Sequence, residues 1–351
     1  SKHRPCAPTH ACGGEIASDA PAAAPESPVL ACAALIGRYF SVTVMYSLGI
    51  HRGIPTMSTP RFVIFPGGGP QLKESQADYV RRGGFEAYKK VIAGGRPEVV
   101  IEELEKSRLR GRGGAGFPTH QKLALCRAAE GPDGSKEKYV VVNGGEDEPG
   151  SHKDRILLTH TPQAVLEGTL LAAYAIGAQK IIFYVNESYE SAHARLHVAI
   201  NEATVSGYIG QNVLGSGFNV TVEVVPAPHP YVAGEDTAVL ESIEGRAPKP
   251  RQKPPYPVTA GLYGKPTIVN NVETFANIAP ILLHGGDWYR AIGTAESSGT
   301  MLFTLNDEWT NPGVYELPYG ATEGELLNSL GGRSEEHTSE LQSHHDLVCR
   351  L

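Results

Sequence analysis

Between Lys138 and Glu244 the sequence alternates short β-branched apolar runs with longer segments of helical period. That alternation restricts the fold more than any other feature of the chain. The runs are Lys138–Asn143 (KYVVVN), Lys180–Val185 (KIIFYV) and Phe218–Val225 (FNVTVEVV), the first of them ended by Gly144-Gly145. Between them, Thr161-Pro162 supplies an N-cap and N1 pair, Ala164–Ile176 continues as a helix, and Gly177 fits its C′ stop. That helix is apolar nearly all round, which predicts burial. Ser191–Ala203 reads as an amphipathic helix and Thr237–Glu244 as another. Apolar strands alternating with helices predict an α/β fold, a parallel sheet with right-handed crossovers and flanking helices. In such sheets ligands sit beyond the carboxyl ends of the strands. The rule selects the segments after Asn143, around Glu187 and after Val225.

Upstream, Gly84–Ala93 and Pro97–Leu109 read as helices, Phe62–Phe65 as a short apolar run before a PGGGP turn, and Pro118–Ala129 as a further helix. Joining the last two helices is LRGRGGAGFPTHQKL, Leu109–Leu123, with glycines at 111, 113, 114 and 116. Glycine tolerates φ > 0 and lets another group approach the backbone. Bare N–H groups opening a helix suit a phosphate. A plain turn between two helices accounts for the same pattern. No Gly-Lys-Ser/Thr follows, so this is not a Walker loop, and a helix rather than a strand precedes it, unlike the usual dinucleotide fingerprint.

Two of the loops selected by the sheet rule are unusual. NGGEDEPGSHKDR, Asn143–Arg155, carries Glu146, Asp147 and Glu148 off a strand end. Carboxylates there accept hydrogen bonds from ribose hydroxyls or a carboxamide, although charge runs are commonly just solvated. Lys153-Asp154-Arg155 reads as a structural ion-pair cluster. HPYVAGEDTAVLE, His229–Glu241, places Tyr231, Glu235 and Asp236 before a helix that Thr237 or Asp236 could cap. KPRQKPPY, Lys249–Tyr256, is a proline-stiffened basic stretch with one aromatic, suited to a pyrophosphate and an adenine or to a surface linker. Thr267–Thr274 (TIVNNVET) offers two adjacent amides for a heteroaromatic edge, a phosphate or buried backbone.

The net charge of −7 argues against a nucleic-acid partner, which calls for a basic face. The five cysteines (Cys6, Cys12, Cys32, Cys126, Cys349) form no CxxC pair, so no zinc or iron–sulfur motif is read from them. Their scatter suits a reducing, cytoplasmic setting. Residues 1–56 are Pro- and Ala-rich without periodicity and are read as a non-native or disordered leader, with Met57 as a native start. Pro28–Ile50 is apolar enough for a membrane span, but Arg38 interrupts it and no helix signals flank it, so no membrane insertion is expected. Arg333–Leu351 resembles the one-frame translation of a sequencing-library adapter, and on that reading the chain is truncated after Gly332.

Taken in order, GRGGAGFPT..K, N..E.EPG..KDR, Y..GE.TA..ES.EG, P..KPP.P and G.PT.VNNVET resemble the NADH- and FMN-binding subunit of respiratory complex I, the 51-kDa or NuoF-type family. Diaphorase subunits of NAD-linked hydrogenases and formate dehydrogenases share it. The resemblance spans about Gly84–Gly332. It implies a Rossmann-like FMN/NADH domain over 57–295 and the start of a ubiquitin-like β-grasp domain over 296–332. It implies NADH oxidation with hydride transfer to FMN. Electrons would then pass to iron–sulfur clusters; the [4Fe–4S] ligand cysteines belong to the intact parent and are absent here. Gly111, Gly113, Gly114 and Lys122 match FMN-loop positions. Asn143, Glu146 and Glu148 match the acidic loop beside the flavin, and Glu148 is the catalytic candidate because it matches the acid that helps hold the nicotinamide. Tyr231, Glu235 and Asp236 match the second flavin loop, and Asn270, Asn271 and Thr274 the phosphate side. Phe117, Lys253 and Tyr256 match positions at the NADH adenine and pyrophosphate. On charge alone, Lys122 is expected to stabilise an anionic reduced flavin at N1/O2, and the nearby acids to favour loss of NAD⁺ or discourage the extra phosphate of NADPH.

Three positions depart from the pattern: Gly145 stands where Asp is common, Asp236 where Glu is common and Tyr256 where Phe is common. Gly145 removes a flavin contact and is left out of the site. Implied partners are 24-kDa (NuoE-type) and NuoG-type subunits of a complex I-like, hydrogenase or formate dehydrogenase assembly, in a cytoplasmic, peripheral arm. GFPTHQKL is also close to the C-type component of the Rnf complex, and a non-catalytic flavin electron relay is the rival reading. A relay has no need of Phe117, Glu148 and Lys253.

Overall fold

The computed structural model describes residues 62–69, 73–132, 134–229, 231–307 and 309–322. The expected leader and tail, and the end of the expected β-grasp segment, lie outside them.

Among the described residues four helices precede the sheet: α1 (Gln76–Arg81), α2 (Glu86–Gly94), α3 (Glu98–Ser107) and α4 (Thr119–Ala128). The last three fall on predicted segments. The first was not expected; Ser75 caps it by accepting the Asp78 N–H at 3.2 Å.

The sheet has four parallel strands in the order β3-β2-β1-β4: β1 (Tyr139–Gly144), β2 (Lys180–Asn186), β3 (Thr221–Ala227) and β4 (Thr267–Asn271). Between β1 and β2 come α5 (Lys153–His160) and α6 (Pro162–Ile176), and between β2 and β3 comes α7 (Glu190–Val205). α8 (Asp236–Ile243) and α9 (Pro257–Ala260) lead to β4. Strand side chains divide by alternation. Val140, Val142, Ile181, Phe183, Val185 and Ile268 join the larger core with α6, while Tyr139, Val141, Ile182, Tyr184 and Val269 join a smaller one with Val239 and Leu240 of α8. Burial on both faces explains why the strands read as unbroken apolar runs. Every residue of α6 except Tyr174 is buried, as its composition predicts.

One expectation needs correcting, and two segments gain detail. Asn143–Arg155 is not loop throughout, because α5 starts at Lys153. Thr267–Thr274 is the fourth strand running straight into α10 (Val272–Ala276). Thr161 starts α6 without capping it through its side chain; its hydroxyl donates to Glu74 Oε2 at 2.8 Å instead.

After α10 come α11 (Ile278–His284), α12 (Gly286–Arg290) and the antiparallel pair β5 (Thr300–Leu305) and β6 (Gly313–Pro318). This pair is bonded into the rest. The Leu302 N–H donates to Glu273 Oε1 at 3.1 Å, and the His152 N–H to Thr304 Oγ1 at 3.2 Å. The consequence of the order β3-β2-β1-β4 is a switch point between β1 and β4, where the chain has turned to opposite sides of β1. Such a point opens a crevice at the strands' carboxyl ends.

Candidate functional site

Asn143 of β1 and Asn271 of β4 are register partners at that switch point. Asn271 caps α10 by accepting the Glu273 N–H at 3.0 Å. Its amide donates to Asp154 Oδ2 at 2.6 Å, and its Oδ1 also accepts from Lys153 Nζ at 2.8 Å. Lys153 reaches Asp154 at 2.8 Å and Glu273 at 3.1 Å, so the predicted ion pair of Lys153 with Asp154 is present, with Glu273 rather than the exposed Arg155 as its third member. Burial opposes the Lys153 charge, but the two carboxylates outweigh it and hold its pKa above the usual range. Burial raises the Asp154 carboxyl, while Lys153 and Asn271 hold that rise back.

The Gly-rich stretch is a hairpin-like excursion above this point. The Gly111 N–H donates to Phe117 O and the Thr119 N–H to Leu109 O, both at 2.9 Å. The tip at 113–115 is exposed. Gly114 has φ +101°, which a side chain rarely adopts, and a Cβ at Gly113 would lie 3.2 Å from Cβ of Asn271. The loop is therefore laid against the end of β4. Thr274 is fully buried beneath it and accepts the Arg112 N–H at 2.9 Å.

Lys122, one turn into α4, points at β4. Its ammonium donates to Val269 O at 2.6 Å and to Asn270 Oδ1 at 3.3 Å. Burial lowers its pKa; the Asp236 carboxylate raises it, and Lys253 lowers it further. These three side chains thus share one electrostatic neighbourhood.

The two unusual loops meet across the same edge. Asn143 Nδ2 donates to Gly234 O at 2.8 Å, tying β1 to the 3-10 turn Tyr231–Gly234. Tyr231 is 67% exposed, and its hydroxyl donates to Glu148 Oε2 at 2.6 Å, closing a second tie between the loops. Glu146 is engaged elsewhere. Its carboxylate accepts from Ser151 Oγ at 2.8 Å and from the N–H groups of Asp154 and Arg155 at 3.0 and 3.1 Å. It therefore serves the start of α5. Glu235, rather than Asp236 or Thr237, caps α8: its Oε2 accepts the Thr237 and Ala238 N–H groups, both at 2.9 Å. Lys253 bridges to Glu235 at 2.9 Å and to Asp236 at 2.6 Å. Burial and the neighbouring Glu235 carboxyl raise Asp236. A side chain at Gly145 would come within 3.2 Å of the Tyr184 ring.

Phe117 is 45% exposed two residues before α4, and Tyr256 is 57% exposed immediately before α9, which packs on α4. Two open aromatic faces thus flank helices that touch. The structure gathers Gly111, Gly113 and Gly114 with Lys122, Asn270, Asn271 and Thr274 at β4, and Asn143, Glu148, Tyr231, Glu235, Asp236 and Lys253 along the adjoining loops. Sequence reasoning missed Arg112, which is 8% exposed at the base of the loop. Its signal was a lone charge between two glycines, a place where an arginine has nothing local to bond.

A flavin phosphate with its ring can be tested against these residues. The buried Asn270 Nδ2 has no partner among the described residues, and Gly114 and Gly116 have nothing within 4 Å of where a Cβ would stand. An unused buried donor beside a cation and a bare glycine tip is the chemistry of a site for an anionic, heteroaromatic group. The residues fit.

A family model described as the Nuo51 FMN-binding domain matches residues 104–280. The F 2 subunit of NADH-quinone oxidoreductase from Rhizobium meliloti is 43% identical over 254 residues, 72% of this chain and 59% of that protein. The alpha subunit of the NAD-reducing hydrogenase HoxS from Cupriavidus necator is 45% identical over 239 residues, 68% of this chain and 39% of that protein. The solved structure of an NAD⁺-reducing [NiFe]-hydrogenase in the H2-reduced state superposes with a TM-score of 0.65 at 33% identity, covering 84% of this chain and 49% of that one. The chain spans 59% or less of the length of these relatives.

Proposed function

Because the chain belongs to the Nuo51 FMN-binding domain family, we propose that it forms the NADH- and FMN-binding part of a NuoF-type NADH dehydrogenase subunit. The observation that carries this reading is the meeting at one switch point of the bare glycine tip, Lys122 with the unpartnered Asn270 amide, and the Glu148 loop. Bound FMN would supply the hydride acceptor and the passage from two-electron to one-electron chemistry.

The chain's own residues then bind, orient and screen. An ammonium has three donors. Val269 and Asn270 take two from Lys122, leaving one for an acceptor on the cofactor. The Tyr231 hydroxyl fixes one oxygen of Glu148 and leaves the other to accept from a carboxamide NH₂. Lys253 is already paired with two carboxylates, so a pyrophosphate would share it rather than find it free. Exposed Phe117 and Tyr256 offer faces for an adenine. No side chain has to act as an acid or base in hydride transfer.

Among the described residues no helix is long and apolar enough to cross a membrane. A cytoplasmic place, in the peripheral arm of a complex I-like assembly, belongs to the same proposal. Assembly with NuoE- and NuoG-type subunits follows the same reading, because the similar proteins are subunits of larger enzymes.

The test is anaerobic mixing of the full chain, loaded with FMN, with NADH. The flavin absorbance is expected to bleach, and in Glu148→Gln to bleach on the order of tenfold more slowly, the scale of one hydrogen bond to a charged group. Bound FMN that NADH fails to bleach would leave an electron relay in place of the proposed reaction.

A further inference from the structure

The tip of the Gly-rich loop has no side chain of its own to hold it: residues 113–115 are Gly, Gly and Ala, and all are exposed. Its inner support is Arg112. One guanidinium nitrogen donates to Tyr319 Oη at 2.9 Å; the other donates to Tyr289 Oη at 3.0 Å and to Ser298 O at 3.2 Å. The guanidinium carbon lies 4.7 Å from the centre of the Tyr319 ring. Tyr289 is itself fixed, donating to Asn277 Oδ1 at 3.1 Å, and Ser298 Oγ donates to Ser107 O at 2.7 Å. Arg112 is thus a strut between the loop and the segments before β5 and after β6.

Two features set this strut apart from ordinary packing. Every acceptor is a neutral oxygen, and among the described residues no carboxylate lies within ion-pair distance of Arg112. Glu273, whose field reaches the guanidinium, is paired with Lys153 instead. The buried Nε of Arg112 has no partner among the described residues. A buried cation without a paired anion is costly. Here it sits at the base of the Gly-rich loop, whose exposed tip would face the flavin phosphate on the FMN reading. Its fixed fork also sets direction, because a guanidinium reaches three acceptors in fixed directions and an ammonium does not.

We propose that Arg112 is the positioning residue of the flavin site: held by Tyr289, Ser298 and Tyr319, it sets the shape of the 113–115 tip and adds unpaired positive charge beneath it. The inference rests on the FMN reading above.

The test uses the full chain. FMN uptake is followed by quenching of flavin fluorescence, and the bound flavin's midpoint potential by spectroelectrochemistry. Tyr319→Phe keeps the ring and the charge but frees one arm of the fork; Arg112→Gln removes the charge. Both are expected to weaken FMN binding by about tenfold or more. Arg112→Gln is also expected to lower the midpoint potential, because lost positive charge destabilises an anionic reduced ring, while Tyr319→Phe leaves it near wild type. Should Arg112→Gln not fold, Tyr319→Phe carries the test alone, with its apo melting temperature expected to stay near wild type. Wild-type affinity in Tyr319→Phe would overturn the positioning role while the FMN reading stands. Failure of the wild-type chain to take up FMN would overturn that reading, and the proposal with it.

Discussion

At the scale of single residues, Glu235 shows how much one carboxylate can be asked to do. It caps α8 through one oxygen and holds Lys253 through the other. Burial works against its ionisation, but the neighbouring Asp236 carboxyl takes the upward shift of the pair, and hydrogen bonds from Thr237, Lys253 and the Ala238 N–H bring the Glu235 pKa from 4.5 to about 2. A carboxyl lowered on folding adds stability that is complete above its unfolded pKa and fades as pH falls toward the folded one. The window here runs from 4.5 down to about 2, and Asp236, shifted the other way, blunts the effect. Glu235→Ala is expected to cost about 1 kcal/mol at pH 7, or a few degrees in Tm, the usual value of a lost cap. That deficit should narrow steadily in melts taken from pH 5 to pH 2.5. A deficit of the same size at both ends would mean the charge contributes nothing. The cap was legible only in part. Asp and Thr are the habitual capping types, so a glutamate folding back on its own helix is passed over in a sequence. Lys122, Asn270 and Glu148 were legible as members of motifs; Arg112 was not, because its partners lie 162 to 207 positions away.

At the scale of elements, the strands and helices with a strong period were readable, and those shaped by tertiary contacts were not. β1, β2 and α6 are long enough in one pattern to declare themselves. β4 is five residues with two Asn at its end and passes directly into α10, so no turn marks its limit. α5 is hidden because its N–H groups are met by Glu146, which stands in an acidic run that looks solvated. The crossing of α6 with α10 rests on a contact that composition cannot announce. A Cβ built on Gly168 would lie 1.9 Å from the carbonyl oxygen of Phe275. Main chain cannot swing aside as a side-chain tip can, so the helices would have to separate. Gly168→Ala raises helix propensity and is nonetheless expected to destabilise by about 1–3 kcal/mol, the ordinary cost of overpacking. Denaturant melts decide it. A variant as stable as wild type would show that α6 and α10 can part without loss.

At the scale of the whole molecule, chain-distant segments are joined through one buried carboxylate. Glu316 of β6 is fully buried. It accepts the N–H groups of Val63, Ile64 and Phe65 at 2.7 to 3.1 Å, and the Thr300 hydroxyl at 2.5 Å. The Glu316 N–H in turn donates to Gly68 O at 2.6 Å. Segment 62–69 is thereby docked on the β5–β6 pair, and that pair also meets Glu273 and His152 beside the candidate site. The sequence suggested a boundary near 295. The bonds tie the hairpin across that position to Glu273 and His152, a link that only contacts distant in sequence could reveal. Glu316→Gln offers the three N–H groups one carbonyl oxygen in place of a carboxylate and brings an amide NH₂ into a site built of donors. A buried group left unmatched costs about 1–3 kcal/mol. The loss should be local. Hydrogen exchange at the amides of Val63, Ile64 and Phe65 is expected to quicken by at least about tenfold, beyond any change at Val140–Val142 in β1. Equal loss of protection in both places would mean that Glu316 supports the molecule as a whole, while unchanged exchange at 63–65 would mean that the segment stays docked by the packing of its buried side chains.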